Sequence, residues 1–328
     1  MRAKWLHLVV VASALLAGLV LHSEGEDLVQ VAKERRALKD SGRRGGFTGP
    51  VVPSLAPLLG DYVNLGTRTS QGRTDIPRLL GVLKKMNAKD YMHLVWKEKR
   101  YPFAWHDFQL MAPEFQKAGI RLWLYLTPPS EGVPDPFGSD YVRWAVECAK
   151  IAQRCPIVTG MCIDDFNGNV RMFTPSYCKN MMNEAHKIAP HLSLLVVCYF
   201  GYEKAISQHV EAGAIDGVIF PYFYPHKNHS DTTKLLPQIK SYREWLDRRT
   251  KNGGLLGKMP LVVMVYATKH SASPDYPTAT YVKKCLDIGL MATQEGLADG
   301  VVTYCLPKNK PFFVKQVSLA YKEWKPRK

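Results

Sequence analysis

Short apolar runs alternate with segments of helical period along most of the chain. The runs are Leu58–Leu65, Tyr91–Trp96, Arg121–Thr127, Ile157–Phe166, Leu192–Phe200, Gly217–Tyr224, Pro260–Thr268 and Gly300–Leu306. Stretches such as Leu194-Leu195-Val196-Val197 and Leu261-Val262-Val263-Met264-Val265 are apolar at every position. A strand buried on both faces reads this way when helices cover one side and a core fills the other. Between the runs, Ile76–Met86, Phe108–Ala118, Asp140–Arg154, Ser176–Ile188, Glu203–Ala212, Leu235–Arg249 and Thr280–Thr293 carry apolar residues at helical spacing. Ser139/Asp140 and Pro175 stand where helices start, and Gly119 and Pro190 where they stop.

Strand and helix repeated to eight strands predicts a single-domain α/β fold, the closed (β/α)8 or TIM barrel, over residues 51–310. A barrel of this kind takes about 250 residues, which leaves room for a leader and a tail within 328 residues. The rival is an open doubly wound sheet, which carries a glycine-rich turn after its first strand. Gly60-Asp61-Tyr62-Val63-Asn64-Leu65-Gly66 has no such turn. A C-terminal helix and basic tail are expected over 311–328.

The first 23 residues read as a signal peptide. Arg2 and Lys4 precede an apolar run from Leu6 to Leu21, and Leu21-His22-Ser23 offers a cleavage site. The run is shorter than the ~20 residues that span a bilayer; a retained signal anchor is the other reading. Residues 24–50, with Arg35-Arg36 and Arg43-Arg44, read as a basic flexible tail or pro-segment. The protein is therefore expected to be secreted and extracellular, with no membrane span in its mature form. Asn228-His229-Ser230 is an N-glycosylation sequon in the loop after the sixth strand. Among the seven cysteines, Cys162, Cys198 and Cys305 fall inside apolar strands and read as buried thiols.

Candidate chemistry belongs at the C-terminal ends of the strands. The fourth run ends in Asp164 and Asp165 after the apolar Gly160-Met161-Cys162-Ile163. Burial and mutual repulsion raise the pKa of such a pair and make one member a proton donor near neutral pH. Two other readings stay open: capping of the Phe166-Asn167-Gly168-Asn169 turn, and a metal site, for which the stretch offers few oxygen ligands. Trp96, Tyr125, Tyr199, Tyr222, Tyr224, Tyr266 and Tyr304 also lie at strand ends. Flat rings with polar tips suit the apolar faces and hydroxyl edges of a sugar. Asp61, Asn64, His93, His106, Asp107, His226, Lys227, His229, Lys269 and His270 are weaker candidates beside them. No GxSxG elbow, HExxH helix or P-loop occurs, which argues against serine hydrolases, zinc proteases and nucleotide enzymes. No cofactor or metal is expected. The formal charge of +15 points to acidic glycans or to a solvated basic surface. Without a recognition motif, nucleic acid is not expected.

The Gly160–Phe166 segment resembles the strand-then-Asp-Asp pattern of retaining β-N-acetylglucosaminidases that use substrate assistance. The resemblance implies that Asp164 orients the acetamido group of the substrate and that Asp165 is the general acid/base. Asp216–Pro225 is similar to sixth-strand segments of bacterial glycosidase-like barrels. The DxxDxDxE signature of chitinase-type barrels is absent. Three functions stand as expectations: a glycoside hydrolase, with N-acetylated sugars among its substrates; a non-catalytic barrel that binds glycans or belongs to the extracellular matrix; or a barrel acting on another substrate, such as a phosphate or a peptide.

Overall fold

The computed structural model describes residues 57–64, 66–97, 103–222, 231–269 and 276–325. The expected signal peptide, the basic segment 24–50, Tyr224, His226, Lys227, Asn228, His229 and His270 lie outside them.

Eight parallel strands close on themselves in chain order: β1 (Leu58–Tyr62), β2 (Asp90–Val95), β3 (Arg121–Leu126), β4 (Val158–Ile163), β5 (Ser193–Val197), β6 (Gly217–Tyr222), β7 (Leu261–Tyr266) and β8 (Gly300–Tyr304). Eight α-helices alternate with them among the described residues: α1 (Ile76–Met86), α2 (Ala104–Ala118), α3 (Tyr141–Arg154), α4 (Pro175–His186), α5 (Ser207–Glu211), α6 (Leu235–Asn252), α7 (Ala279–Gln294) and α8 (Pro311–Glu323). This is the (β/α)8 barrel. None of these helices is long and apolar enough to cross a membrane.

Local signals set the helix starts. Asp75, Asp140, Thr174 and Thr278 each accept a hydrogen bond from a backbone N–H three residues on, which satisfies one of the four orphan donors of a helix start. The expected Glu203–Ala212 helix is instead a 3₁₀ turn, Glu203–Ile206, running into the single-turn α5. Helix α2 begins four residues before its expected start, without a side-chain cap. The C-terminal helix α8 lies against α7 and α1 and so completes the helical ring. Its Tyr321 hydroxyl donates to the Gly60 carbonyl at 2.6 Å, across the β8–β1 seam.

Ring contacts between non-adjacent strands fix which side chains point inward. Tyr62 of β1 touches Tyr125 of β3 with centroids 4.3 Å apart, so both face the barrel axis. Strand alternation then turns Asp61 outward, where it meets Lys308 at 2.8 Å, both side chains wholly buried. At the lower end, buried Asp90 is paired with Arg121 at 2.7 Å. It also accepts from the Trp123 indole at 3.0 Å and the Leu59 N–H at 3.1 Å. Trp123 lies over β4 at Gly160, where an added Cβ would collide with the Ser193 carbonyl and come within 2.7 Å of the indole. All seven cysteines are free thiols, and Cys162, Cys198 and Cys305 are fully buried.

Candidate active site

Five phenol rings line the C-terminal end of the barrel in a continuous arc. Tyr125 of β3 packs on Tyr62 of β1, and Tyr62 stacks on Tyr304 of β8 at 5.0 Å. Tyr304 packs on Tyr266 of β7 at 4.4 Å. The Tyr266 hydroxyl lies 3.4 Å from that of Tyr199, just past β5. Between the two ends of the arc, Tyr125 of β3 and Tyr199 after β5, lies the end of β4, and there the chain places Asp164 and Asp165.

Strand β4 ends at Ile163, earlier than its apolar run suggested, so both acids belong to the turn above it. The Asp164 N–H still donates to the Leu126 carbonyl of β3 at 3.0 Å, so the residue is anchored to the sheet. Asp165 adopts a left-handed backbone, φ 36° and ψ 39°, which Asp tolerates better than most residues. Its N–H donates to Asp164 Oδ1 at 3.0 Å. Val63 and Cys305, directly after Tyr62 and Tyr304, also have positive φ. The backbone thus bends sharply just beyond three side chains that line the barrel mouth. Strained backbone of this kind persists only where the surroundings over-determine it, and it gathers at functional sites.

Burial governs the electrostatics. Asp164 is 7% exposed. Desolvation, then the charges of Glu131 and Asp165, hold its carboxyl well above the usual range. The Tyr125 hydroxyl stands close enough to oppose that shift, yet it has no partner in full hydrogen-bond geometry. Burial also raises Asp165, against a lowering contact from Tyr199. Glu131, in the turn Pro129–Glu131 after β3, is pushed up to about 7 by burial and by Asp165, with Lys97 opposing. Three carboxyl groups thus share this end of the barrel, too close to ionise together readily.

The loops that carry them are tied to one another. Asn169 donates to the Asp165 carbonyl and to Ser130 Oγ, both at 2.9 Å, and accepts from the Ser130 N–H at 3.3 Å. The Trp96 indole donates to the Glu131 carbonyl at 3.0 Å, with the Lys97 ammonium 5.5 Å from the ring centroid. Trp96 therefore supports the Glu131 turn with its polar edge and is itself buried.

The structure gathers Asp164, Asp165, Tyr125, Tyr199, Tyr266 and Tyr304 at one end, with Trp96 beside them, bonded to the Glu131 carbonyl. It does not bring Tyr222 there. Tyr222 follows inward-facing Pro221 and shares the outer face of β6 with Phe220, whose ring packs on Tyr242 of α6 at 5.5 Å. Its hydroxyl donates to the Asp231 carbonyl at 3.0 Å. Among the weaker candidates, His93 packs outward against α2, where burial lowers its pKa to about 4. Asp107 pairs with Arg73 at 2.5 Å and accepts from the Thr74 N–H, and His106 contacts the same arginine. Asn64 bonds to Thr74 and Arg68. Asp61 faces Lys308 outside the barrel. Lys269 lies 5.8 Å from the Tyr276 ring centroid.

Sequence reasoning missed Tyr62, Glu131 and Asn169. Tyr62 was hidden because the first run extends apolar to Leu65, past the true strand end. The Pro128-Pro129-Ser130-Glu131-Gly132 segment announces a turn but not its direction. Among the described residues, no group of three His, Cys, Asp or Glu side chains is placed to hold a metal ion.

No family model matches the sequence, and no curated protein is similar to it. In fold the chain is similar to solved glycoside hydrolases. With the beta-galactosidase of the psychrophilic Marinomonas ef1 the TM-score is 0.54 at 10% identity, over 81% of this chain and 59% of that one. With the GH53 catalytic domain of Ignisphaera aggregans it is 0.52 at 12% identity, over 79% of this chain and 88% of that one. With the Bacteroides uniformis beta-glucuronidase it is 0.47 at 13% identity, over 76% of this chain. This chain spans only 30% of that beta-glucuronidase. The likeness to the beta-galactosidase and the GH53 domain shows the fold, a (β/α)8 barrel.

Proposed function

We propose that the protein is a secreted glycosidase-like hydrolase that cleaves glycosidic bonds at the C-terminal end of its barrel, with N-acetylated sugars as substrates. The observation that carries this reading is the buried pair Asp164–Asp165 inside an arc of phenols, held by the turn after β4. Glycosidic cleavage needs a proton for the leaving oxygen and a second group at the anomeric carbon. Raised carboxyl pKa values supply the first near neutral pH, and an ionised neighbour or the substrate's own amide supplies the second. Tyrosine hydroxyls at the rim offer hydrogen bonds to a substrate acetamide or hydroxyl. The solved hydrolases of similar fold support the class, and the basic composition suits an acidic glycan.

A second reading, a glycan-binding barrel without catalysis, draws on the packing of the arc. Tyr62 and Tyr125 are fully buried and Tyr266 is 2% exposed, so much of the mouth is filled. One experiment separates the two. Wild type and D165N are screened against 4-nitrophenyl glycosides, with N-acetylglucosaminide beside glucoside. Turnover that falls at least 100-fold in D165N supports the enzyme. Glycan binding without turnover, equal in both proteins, supports the binder. Turnover of the glucoside but not of the N-acetylglucosaminide refutes the N-acetyl assignment alone.

A further inference from the structure

We infer that Glu131, on the turn after β3, is the residue that donates the proton to the departing glycosidic oxygen, while Asp165 across the β3–β4 gap works as the anion. The inference rests on the hydrolase reading above and deepens it.

Three observations carry it. First, one oxygen of the Glu131 carboxyl is uncommitted. Its Oε2 is buried and has no hydrogen-bond partner, so the proton it holds is not spent on a structural contact. Asp164 is different: its Oδ1 already accepts the Asp165 N–H. Second, Glu131 and Asp165 are held in fixed relation. Asn169 bonds at once to Ser130, next to Glu131, and to the Asp165 carbonyl, while Trp96 holds Glu131 from the other side. Two acids must keep a constant separation if one is to serve the leaving group and the other the anomeric carbon. Third, buried polar groups face the same point. The Tyr62 hydroxyl is wholly buried and without a hydrogen-bond partner, and the buried Tyr125 hydroxyl meets only Asp164, against which both stand. A buried phenol left like Tyr62 costs free energy unless something else accepts from it. A sugar oxygen seated between Glu131 and Asp164 would do so.

The groups facing Glu131 are Asp165 and Asp164 from the β4 turn, Lys97 from the end of β2 and Tyr62 from β1. Asp165 repels a charge on Glu131 and burial disfavours it, so Glu131 holds its proton up to about pH 7. In the reaction, that proton moves to the glycosidic oxygen and the C–O bond breaks with its electron pair passing to that oxygen, which leaves as an alcohol. Water adds its oxygen to the anomeric carbon and yields a proton to Asp165. Glu131 ends as a carboxylate and Asp165 as an acid, and exchange with solvent restores both. One glycoside and one water give one alcohol and one hemiacetal, the free sugar, with no other reactant.

The test is the dependence on leaving group. E131Q, D165N and wild type, all full-length, are assayed from pH 4 to 9 on a 2,4-dinitrophenyl glycoside, which departs without protonation, and on an alkyl glycoside of the same sugar. E131Q is expected to lose 100-fold or more on the alkyl substrate, to stay within about threefold on the dinitrophenyl one, and to lack the fall in rate above pH 7. D165N is expected to lose comparably on both. If D165N shows the leaving-group signature and E131Q does not, the proton donor is Asp165 and the inference is overturned while the hydrolase stands. Equal losses in E131Q on both substrates also overturn it. No turnover of any glycoside by wild type removes the hydrolase reading and the inference with it. A readout independent of turnover is the carboxyl 13C titration of labelled protein. One resonance with a midpoint near 7, absent in E131Q and shifted to lower pH in D165N, is expected. An ordinary midpoint for Glu131 would overturn the assignment.

Discussion

Replacing Lys308 by methionine strips a wholly buried carboxylate of its counter-charge. Lys308 Nζ lies 2.8 Å from Asp61 Oδ2 and donates to the Leu306 carbonyl at 3.0 Å. Asp61 also accepts from the Thr303 hydroxyl at 2.5 Å and the Tyr62 N–H at 2.9 Å, and K308M keeps both bonds. What is lost is the ammonium that permits the carboxyl to ionise under full burial. Even in the wild type, burial raises Asp61 above its ordinary 3.8 despite that ammonium. In the variant the native carboxyl stays protonated through neutral pH, while the unfolded chain ionises it. The native state then binds one more proton, so stability falls as pH rises, by about 1.4 kcal/mol per pH unit above 3.8. From 3.8 to 7 that amounts to about 4 kcal/mol. The wild type shares the lower part of this slope, so the deficit against it is about 2–4 kcal/mol at pH 7, in keeping with other broken buried pairs. Urea unfolding at pH 4.5 and pH 7 measures it. The deficit should be large at pH 7 and small at pH 4.5. The double variant D61N/K308M should recover most of it, because the amide carries no charge to desolvate and its oxygen keeps both accepted bonds. A deficit independent of pH, or a double variant no better than the sum of the singles, would refute the reasoning.

The same pair gives a prediction for the wild type at alkaline pH. Burial lowers Lys308 from 10.5 to about 8, so between these values the unfolded chain binds more protons and native stability rises with pH; K308M lacks that rise in urea titrations at pH 8 and 10. G160A forces a Cβ against the Ser193 carbonyl and the Trp123 indole, and it should cost about 1–3 kcal/mol, with a melting-temperature drop of roughly 2–4 °C per kcal/mol. Because Asp164 lies four residues on, turnover should fall more than stability does, and an unchanged turnover would count against a rigid link. Y199F removes a hydroxyl that lowers Asp165, so the acid limb of the pH–rate profile should move to higher pH, whereas Y222F should leave the profile unmoved.

The barrel could be read from the chain because its strands are buried on both faces and its helices on one. Seven of the eight strands fall inside an apolar run, β2 starts one residue before its run, at Asp90, and α1 matches its expected bounds. Where two signals competed, the reading slipped. The run Ile157–Phe166 is apolar up to Ile163 and again at Phe166, so periodicity alone carried the strand through the two acids. The left-handed turn at Asp165 has no signature short of the backbone itself. The facing of strand-end tyrosines was equally hidden. Tyr222 and Tyr266 look alike in sequence, and only the register of β6 against β7 decides that one points out and the other in. Glu131 acts from a loop, and a Pro-Pro turn fixes local dihedrals without saying which strand end it will lean over.

The seam between β8 and β1 has a consequence for synthesis. Tyr321 reaches the Gly60 carbonyl over 261 residues of sequence, and the Asn87 amide reaches the Tyr321 carbonyl over 234. Neither latch exists until α8 has emerged from the ribosome. Before that, until β8 has emerged and paired with it, β1 is an edge with an open row of backbone donors and acceptors, ready to pair with another nascent chain. Holding that edge apart, by a chaperone or by fast closure once β8 arrives, is a requirement this topology places on the cell that makes the protein.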